Sequence, residues 1–312
     1  MAQFTTANAI GEREDLSDVI TRIDPDETPI FSALKKETGN GVFVEWQVQE
    51  LAAAVDDNHQ NEGADAAYAT PTQTTRLGNY MQISQKDAQV SGTLDAVDKA
   101  GRDRETAYQK VLKGLELRRD IEKYLHSDNA RSASDPRKAG TLSSWITNVE
   151  DASGTSAATG DGTDVPDMAG ANRDMTLAQI DTAMQAAYTD GGQPNMLVVS
   201  PSKKAAFSDL NSGSVATNQI NYTAPREAAI VGSVSLYLSD FGQLDVVIDR
   251  FAQDNRVYLL DSDYASICTL PNRNFTVQDL AKTGDSEKFQ IITEFTLKVS
   301  APKAHAAVYD LN

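Results

Sequence analysis

The chain has 312 residues, a formal net charge of -17 and a single cysteine, Cys268. This length allows more than one modest hydrophobic core, and one cysteine excludes an intramolecular disulfide framework. The acidic balance argues against a general nucleic-acid binder, which needs a basic face. No run of apolar residues approaches about 18, so a membrane-spanning helix is not predicted.

The first 41 residues are predicted to form an arm that carries two short helices. The first is expected over residues 12–23, and the second begins at Pro29, because proline is favoured at the first helical position. Helices this short are not stable without neighbours. We therefore expect them to pack on the rest of the chain or on another chain. The apolar side chains expected to make contacts between subunits are Leu16, Ile20, Ile30 and Phe31.

Residues 42–88 are predicted to form an extended loop that projects from the body of the protein. Apolar and polar residues alternate over 42–49, which indicates a strand, and a second strand is predicted over 76–90. Residues 52–75 are small, polar and acidic, and such a composition cannot bury a core. A loop of this length in a compact domain indicates a functional role. Its candidate contacts with other subunits are Phe43, Trp46, Tyr68 and Tyr80.

The longest predicted helix covers residues 103–126 and contains no proline. At about 1.5 Å per residue it is roughly 35 Å long, enough to cross a whole domain. Its apolar stripe changes face near the middle, so each half is expected to pack against a different element. We interpret it as a spine. Its predicted core residues are Tyr108, Val111, Leu112, Leu115 and Ile121.

The remaining chain combines helices with strands that are expected to be mainly antiparallel. Residues 127–175 are predicted to be irregular, and helices are predicted to begin at Leu177 and Pro201. Residues 264–270 fit either a strand or a short helix. Further strands are predicted over 195–200, 233–238, 244–249, 256–260, 275–280 and 289–299. This pattern indicates an α+β fold class.

The sequence contains no convincing arrangement of catalytic, cofactor-binding or metal-binding residues. It has no nucleophile elbow, phosphate loop or dinucleotide fingerprint. The three histidines, His59, His126 and His305, have no metal-ligand partner at local spacing, and zinc needs three or four convergent ligands. Acidic turns at 161–164 and 261–263 lack the spacing of a calcium loop. No catalytic, cofactor or metal residue is therefore predicted.

An arm, a projecting hairpin, a spine helix and a separable β-rich module favour an assembly over a monomer. Exposed strands offer unpaired edges that are costly for an isolated chain. This cost is removed when a neighbouring subunit pairs with the exposed strands. Flexible termini with a loop insertion are the alternative explanation.

Several stretches of the chain resemble the major capsid proteins of tailed bacteriophages. The most specific is Ala-Gly-Arg-x-x-Glu-x-Ala-Tyr-Gln at 100–109, which continues as Glu-Leu-x-Arg-Asp-Ile-Glu at 116–122. The others are Asp-Leu-Ser-Asp-Val-Ile at 15–20, Asp-Pro-x-x-Thr-Pro-Ile-Phe at 24–31, Asn-Tyr-x-Gln-Ile at 79–83, Val-Ser-Gly-Thr at 90–93, Lys-Thr-Gly-Asp-Ser at 282–286, Glu-x-Thr-Leu at 294–297 and Ala-His-Ala at 304–306. These matches span nearly the whole chain.

The resemblance implies the Hong Kong 97-type capsid fold. Carried onto this sequence, it implies these parts: an N-terminal arm (1–41), an extended loop (42–88), a peripheral domain (89–195 and 273–312) that contains the spine helix, and an axial domain (196–272). The expected function is self-assembly into pentamers and hexamers that form an icosahedral shell around a phage genome. An encapsulin-like compartment shell is the alternative, and an enzyme with dispersed residues is less favoured.

The resemblance also implies partners and a location. Besides other copies of the chain, the expected partners are a portal protein, scaffolding or decoration proteins, and packaged double-stranded DNA that is held without specific recognition. No membrane partner is expected. The location would be the virion capsid, after assembly in the host cytoplasm. Some relatives cross-link subunits through a lysine of the extended loop, but residues 42–85 contain no lysine, so that chemistry is not expected.

Overall fold

The computed structural model describes residues 22–63, 65, 66, 68, 70–152, 157–168, 170–213 and 235–312. Leu16, Ile20 and most of the helix predicted over 12–23 lie outside these ranges. The helices are α1 (Pro29–Ala33), α2 (Gly92–Ala96), α3 (Glu105–Leu125), α4 (Leu142–Trp145), α5 (Leu177–Thr189) and α6 (Pro201–Gly213). The strands are β1 (Lys35–Thr38), β2 (Phe43–Val48), β3 (Thr75–Tyr80), β4 (Gln82–Ser91), β5 (Asn148–Glu150), β6 (Met196–Val199), β7 (Leu236–Ser239), β8 (Gly242–Ile248), β9 (Val257–Leu260), β10 (Ala265–Thr269), β11 (Thr276–Asp279), β12 (Ser286–Val299) and β13 (Ala306–Val308).

The first sheet is built around β12. Its strand order is β1-β10-β12-β11, and β4 also pairs with β12. β4 runs antiparallel to residues 286–295 of β12, while β10 runs antiparallel to residues 295–299. Every residue from 291 to 297 is buried, so both faces of β12 are covered there.

The second sheet has the order β5-β13-β9-β6-β8-β7. All four residues of β6 are buried, and α5 contributes to the same core. The start of α5 is fixed by a capping box between Thr176 and Gln179. The buried residues of α5 follow the helical spacing i, i+3, i+4, i+7: Ile180, Ala183, Met184 and Ala187.

The long helix α3 agrees with its predicted limits within two residues. Its N-cap residue, Arg104, makes no side-chain cap. Instead, Asp95 Oδ1 accepts a hydrogen bond from Thr106 N at 3.1 Å, and Asp95 Oδ2 accepts one from Arg104 Nη2 at 2.7 Å. Asp95 therefore satisfies a first-turn amide and places negative charge at the positive end of the helix dipole.

The buried face of α3 differs from the predicted one. Val111 is 64% exposed, so its assignment to the core is wrong, whereas Ile121 is 1% exposed. The other three predicted core residues are only half-buried: Tyr108, Leu112 and Leu115. The buried apolar side chains instead lie four residues apart: Leu117, Ile121 and Leu125. They are buried because strands of both sheets and α1 cover this face of the helix, and Leu117 packs against Phe289 and Ile291 of β12.

The two sheets do not divide as the predicted domain limits do. β10 was predicted to belong to the axial domain, but it pairs with β1 and β12 of the first sheet. β5 and β13 were predicted to belong to the peripheral domain, but they lie in the second sheet beside β9. One core cluster contains side chains of both sheets, so the two sheets share a hydrophobic core. Strand pairing depends on partners far apart in sequence, which the local pattern does not reveal.

Candidate functional site

The extended loop joins two antiparallel strands, β2 and β3, with Phe43 opposite Tyr80 and Val48 opposite Thr75. Every described residue from 49 to 76 is exposed. Residues 49–74 carry five acidic side chains and no lysine or arginine. The loop also exposes large apolar side chains, at 97% for Leu51, 67% for Val55 and 96% for Tyr68. Tyr68 is one of the contacts that the sequence predicts, whereas Leu51 and Val55 are not, because single apolar residues in an acidic loop form no pattern that marks them as contacts.

The base of the loop is held by aromatic contacts within the chain. The rings of Phe43 and Tyr80 lie 4.5 Å apart, and the Arg131 guanidinium lies 5.5 Å from the Phe43 ring. Arg131 Nη1 also donates to the Gly78 carbonyl. Phe43 and Tyr80 are half-buried by these contacts. They stabilise the hairpin that presents the loop.

Two of the predicted contacts between subunits are wrong. Ile30 is fully buried in the core of its own chain, and Trp46 is only 9% exposed. The Trp46 ring lies 5.3 Å from the Trp145 ring, so it attaches β2 to the core. Phe31 is half-buried and packs edge-on against Phe275, with 6.1 Å between the ring centroids. The sequence identified these side chains as apolar but not which side of the molecule they face.

A groove lies between the start of α3 and the β11–β12 turn. Its volume is about 340 Å³. Four basic side chains and two acidic ones line it, and three of the basic side chains form ion pairs: Arg104 with Asp95, Lys110 with Asp279 and Lys282 with Glu287. The charged residues are Arg104, Lys110, Lys282, Lys288, Asp279 and Glu287. Leu280, 40% exposed, adds apolar surface to the same groove.

A buried polar cluster lies where α1, α3 and the end of β8 meet. Glu122 on α3 accepts hydrogen bonds from the backbone amides of Ile30 and Phe31, at 2.7 and 2.8 Å. One turn later, His126 is the C-cap residue of α3, and its Nε2 lies 2.6 Å from Asp249 Oδ2. The exposed fractions of Glu122, His126 and Asp249 are 0%, 1% and 0%. The helical spacing of Glu122 and His126 is visible in the sequence, but Asp249 lies 123 residues away from His126.

The electrostatics of this cluster keep a proton on it. Burial raises the pKa of Glu122 to about 8, and contact with the Asp249 carboxylate adds to the rise. Burial also acts to raise the pKa of Asp249, but the hydrogen bond and charge of His126 outweigh it and lower that pKa. Near neutral pH, Glu122 and Asp249 therefore hold one proton between them.

The cluster is a hydrogen-bonded network rather than a metal centre. Two ligands about 2.0 Å from one tetrahedral zinc ion stand roughly 3.3 Å apart. The 2.6 Å between His126 Nε2 and Asp249 Oδ2 is shorter and is a hydrogen-bond distance. Both oxygens of Glu122 already accept hydrogen bonds from backbone amides.

Among the described residues, no helix is long and apolar enough to cross a lipid bilayer.

The two sheets, the long helix and the projecting hairpin define the Hong Kong 97-type class of shell proteins. The chain superposes on the capsid asymmetric unit of cyanophage A-1(L) with a TM-score of 0.69 at 15% identity, covering 98% of each chain. It superposes on the holo-SrpI encapsulin complex of Synechococcus elongatus PCC 7942 with a TM-score of 0.58 at 10% identity, covering 100% of this chain and 97% of the other. At these identities the likeness shows the fold.

The sequence decides between the members of this class. It matches the SU10 major capsid protein family over residues 2–312, and the chain belongs to that family. It is 25% identical over 344 residues to the major capsid protein of Escherichia phage Phieco32, covering 98% of this chain and 96% of that protein. The predicted phage capsid function is confirmed, and the family selects it over the encapsulin-like alternative. The protein is a structural component of a phage capsid.

Proposed function

We propose that copies of this protein assemble through pentamers and hexamers into a closed icosahedral shell around double-stranded DNA. Membership of a capsid protein family supports this proposal, together with an acidic loop that exposes Leu51, Val55 and Tyr68 to water. Removing such apolar side chains from water is favourable in free energy, and a neighbouring copy of the chain can cover them. The protein acts as a building block without catalytic activity. A portal protein and scaffolding or decoration proteins complete the set of partners, and assembly takes place in the host cytoplasm.

The parts of the chain have distinct roles in this proposal. The arm (1–41) and the loop (42–88) make the contacts between subunits, with the second sheet at the centre of each pentamer or hexamer and the first sheet at its periphery. The net charge of -17 fits DNA that is enclosed without specific recognition, because an acidic wall repels phosphate. The sequence predicts contacts by Leu16, Ile20, Phe31, Phe43, Tyr68 and Tyr80, and the exposure of Leu51 and Val55 adds these two.

The partner of the loop, in this proposal, is the basic groove of the next copy. Residues 49–74 of the loop carry five acidic side chains and no lysine or arginine, and the groove is lined by more basic than acidic side chains. Opposite charges steer the encounter and fix the register of such a contact. Leu280 in the groove offers apolar surface to Leu51 and Val55. A contact between two different surfaces of identical chains generates rings, as pentamers and hexamers require.

Electron microscopy of the purified protein and of charge variants tests this function. The unaltered protein is expected to form closed shells or capsomer rings. Lys282→Glu places a negative charge in the groove and is expected to reduce the yield of shells. The loss of binding free energy at one contact is small, but it recurs at every interface of the shell. Asp57→Lys in the same chain is expected to restore part of the yield, because a positive charge in the loop then faces the negative charge placed in the groove.

The matched control is Lys123→Glu, which reverses the charge of another exposed lysine, on α3 but outside the groove. It is expected to leave shells intact. If Lys282→Glu assembles normally, the groove is not the partner of the loop. A stable monomer that turns over a substrate would contradict the shell function itself.

A further inference from the structure

The short helix α1 is held to α3 by a side chain as well as by packing. Ile30 and Phe31 occupy its first turn, where amides have no partner within the helix. Thr28, the N-cap residue, provides no side-chain cap. Both amides donate instead to the two carboxyl oxygens of Glu122, at 2.7 and 2.8 Å. A helix of five residues is unstable alone, so this carboxyl group fixes the position of α1.

The same carboxyl group also faces the second sheet. Asp249 directly follows β8, and its Oδ1 accepts a hydrogen bond from Phe251 N at 2.8 Å. Asp249 Oδ2 bonds to His126, and Gln253 Nε2 donates to the His126 carbonyl at 3.0 Å. Glu122 and Asp249 contact one another, and two buried carboxyl groups in contact cannot both remain ionised. One proton therefore lies where α1, α3 and the second sheet meet.

The charged groups around this proton approach from two sides. Lys36 and Arg118 lie on the side of α1, where each faces the Phe31 ring, at 3.8 and 5.3 Å from its centroid. On the other side, the Tyr258 ring stacks on the His126 ring with 6.0 Å between centroids. Tyr258 in turn accepts a hydrogen bond from Arg256, which pairs with Asp128. The groups that face the Glu122 carboxyl directly are His126, Asp249 and Lys36.

We propose that Glu122, His126 and Asp249 form a proton-operated latch that holds the base of the N-terminal arm against the second sheet. With the proton in place, Glu122 accepts from α1 and shares a hydrogen bond with Asp249. When the proton is lost, the two carboxylates repel one another, and the five-residue α1 is the element that gives way. Its release frees the arm that precedes it. The release of the arm matters for assembly only if the arm has the role proposed above. The latch itself does not depend on that role.

Hydrogen exchange of the α1 amides, measured by mass spectrometry between pH 5 and 8, tests the latch. The closed latch binds one proton more than the open one between about pH 4.5, the ordinary pKa of a glutamate, and about pH 8. The opening constant is therefore expected to rise tenfold per pH unit. Base-catalysed exchange adds another factor of ten per unit. The logarithm of the exchange rate of residues 29–34 is expected to rise with a slope of two against pH.

Two variants and one internal control make the slope decisive. Glu122→Gln keeps a donor toward Asp249 and carries no titrating proton, so its slope is expected to be one. Asp249→Asn removes the smaller cause of the raised Glu122 pKa and leaves the burial, so the slope is expected to fall from two to one at a lower pH than in the unaltered protein; this variant serves if the first fails to fold. Amides of α5, remote from the cluster, are expected to show a slope of one in every protein. A slope of one for residues 29–34 of the unaltered protein would overturn the latch. Because exchange is measured in whatever oligomer is purified, this result is independent of whether shells form.

Discussion

The two halves of the long helix α3 carry similar apolar residues but differ in how far these residues are buried. In the C-terminal half, Leu117, Ile121 and Leu125 are each 1% exposed. In the N-terminal half, Val111 is 64% exposed, and Leu112 and Leu115 are half-buried. The halves differ in what packs on them, because strands of both sheets and α1 cover the C-terminal half. Burial on a helix is therefore a property of the neighbouring elements as much as of the helical spacing.

The difference bears on function as well as on stability. The covered half carries Glu122 and His126, which join α1 and the second sheet. The less covered half contributes Arg104 and Lys110 to the basic groove proposed to receive a neighbouring loop. One helix thus connects the interior of its own chain to a surface suited to the next chain.

The largest expected effect comes from Leu117→Ala. Leu117 packs against Phe289 and Ile291 in a closed cluster, so truncation leaves a cavity that its neighbours fill poorly. Such substitutions lower the free energy of unfolding by about 3 kcal/mol. Denaturant unfolding of the unassembled protein measures this loss. Leu115→Ala, two residues earlier and half-buried, is the matched control and is expected to lose clearly less. Equal losses would remove the distinction between the two halves.

An intermediate effect is expected at the start of α3, where Asp95 accepts from Thr106 N and pairs with Arg104. The pKa of Asp95 lies below its ordinary value of 3.8, first because of the Thr106 amide and then because of Arg104. A carboxyl group with a lowered pKa stabilises the folded state above its ordinary pKa, and this stabilisation is lost as the pH falls toward the lowered value. Acidification below about pH 4 is therefore expected to loosen residues 104–112 before residues 117–125.

Hydrogen exchange of the two halves at low pH measures this order of loosening. Asp95→Asn removes the titrating group, and its N-terminal half is expected to exchange faster at neutral pH with little further change on acidification. If the C-terminal half loosened first in the unaltered protein, Asp95 would not be the group that stabilises the start of the helix.

The sequence predicts the longer elements well, but it misses the short elements α2, α4, β1 and β5 and most of the strand pairing. Periodicity placed the ends of α3 within two residues, and the alternation over 42–49 agrees with β2. It could not choose between two apolar stripes on α3, because that choice depends on which face the strands cover. It also could not pair β13 with β9 or β10 with β1, since these contacts join residues far apart in the chain.

For the candidate contact surfaces, the sequence predicts properties that depend on local composition, but it does not predict which apolar side chains are buried. The polar and acidic composition of residues 52–75 is a local property, so the sequence alone predicts that they bury no core, and those of them that the structure describes are exposed. Ile30 and Trp46 have the same apolar character as Leu51, yet the first two are buried and Leu51 is 97% exposed. The cluster of Glu122 and Asp249 could not be predicted, because nothing local to either residue indicates the other.

The smallest expected effect on stability comes from Val111→Ala in the less covered half of α3. Little apolar surface is lost from the interior, and alanine is the better helix former, so the free energy of unfolding is expected to change by less than about 0.5 kcal/mol. Denaturant unfolding of the unassembled protein is the measurement, and a loss above about 1 kcal/mol would mean that Val111 is covered within its own chain. The yield of shells is a second measurement. Substituting a residue that only another copy covers changes assembly without changing the stability of the single chain. Unchanged stability with fewer shells would assign the exposed half of the helix to contacts between copies, and unchanged values of both would leave Val111 facing solvent in the shell.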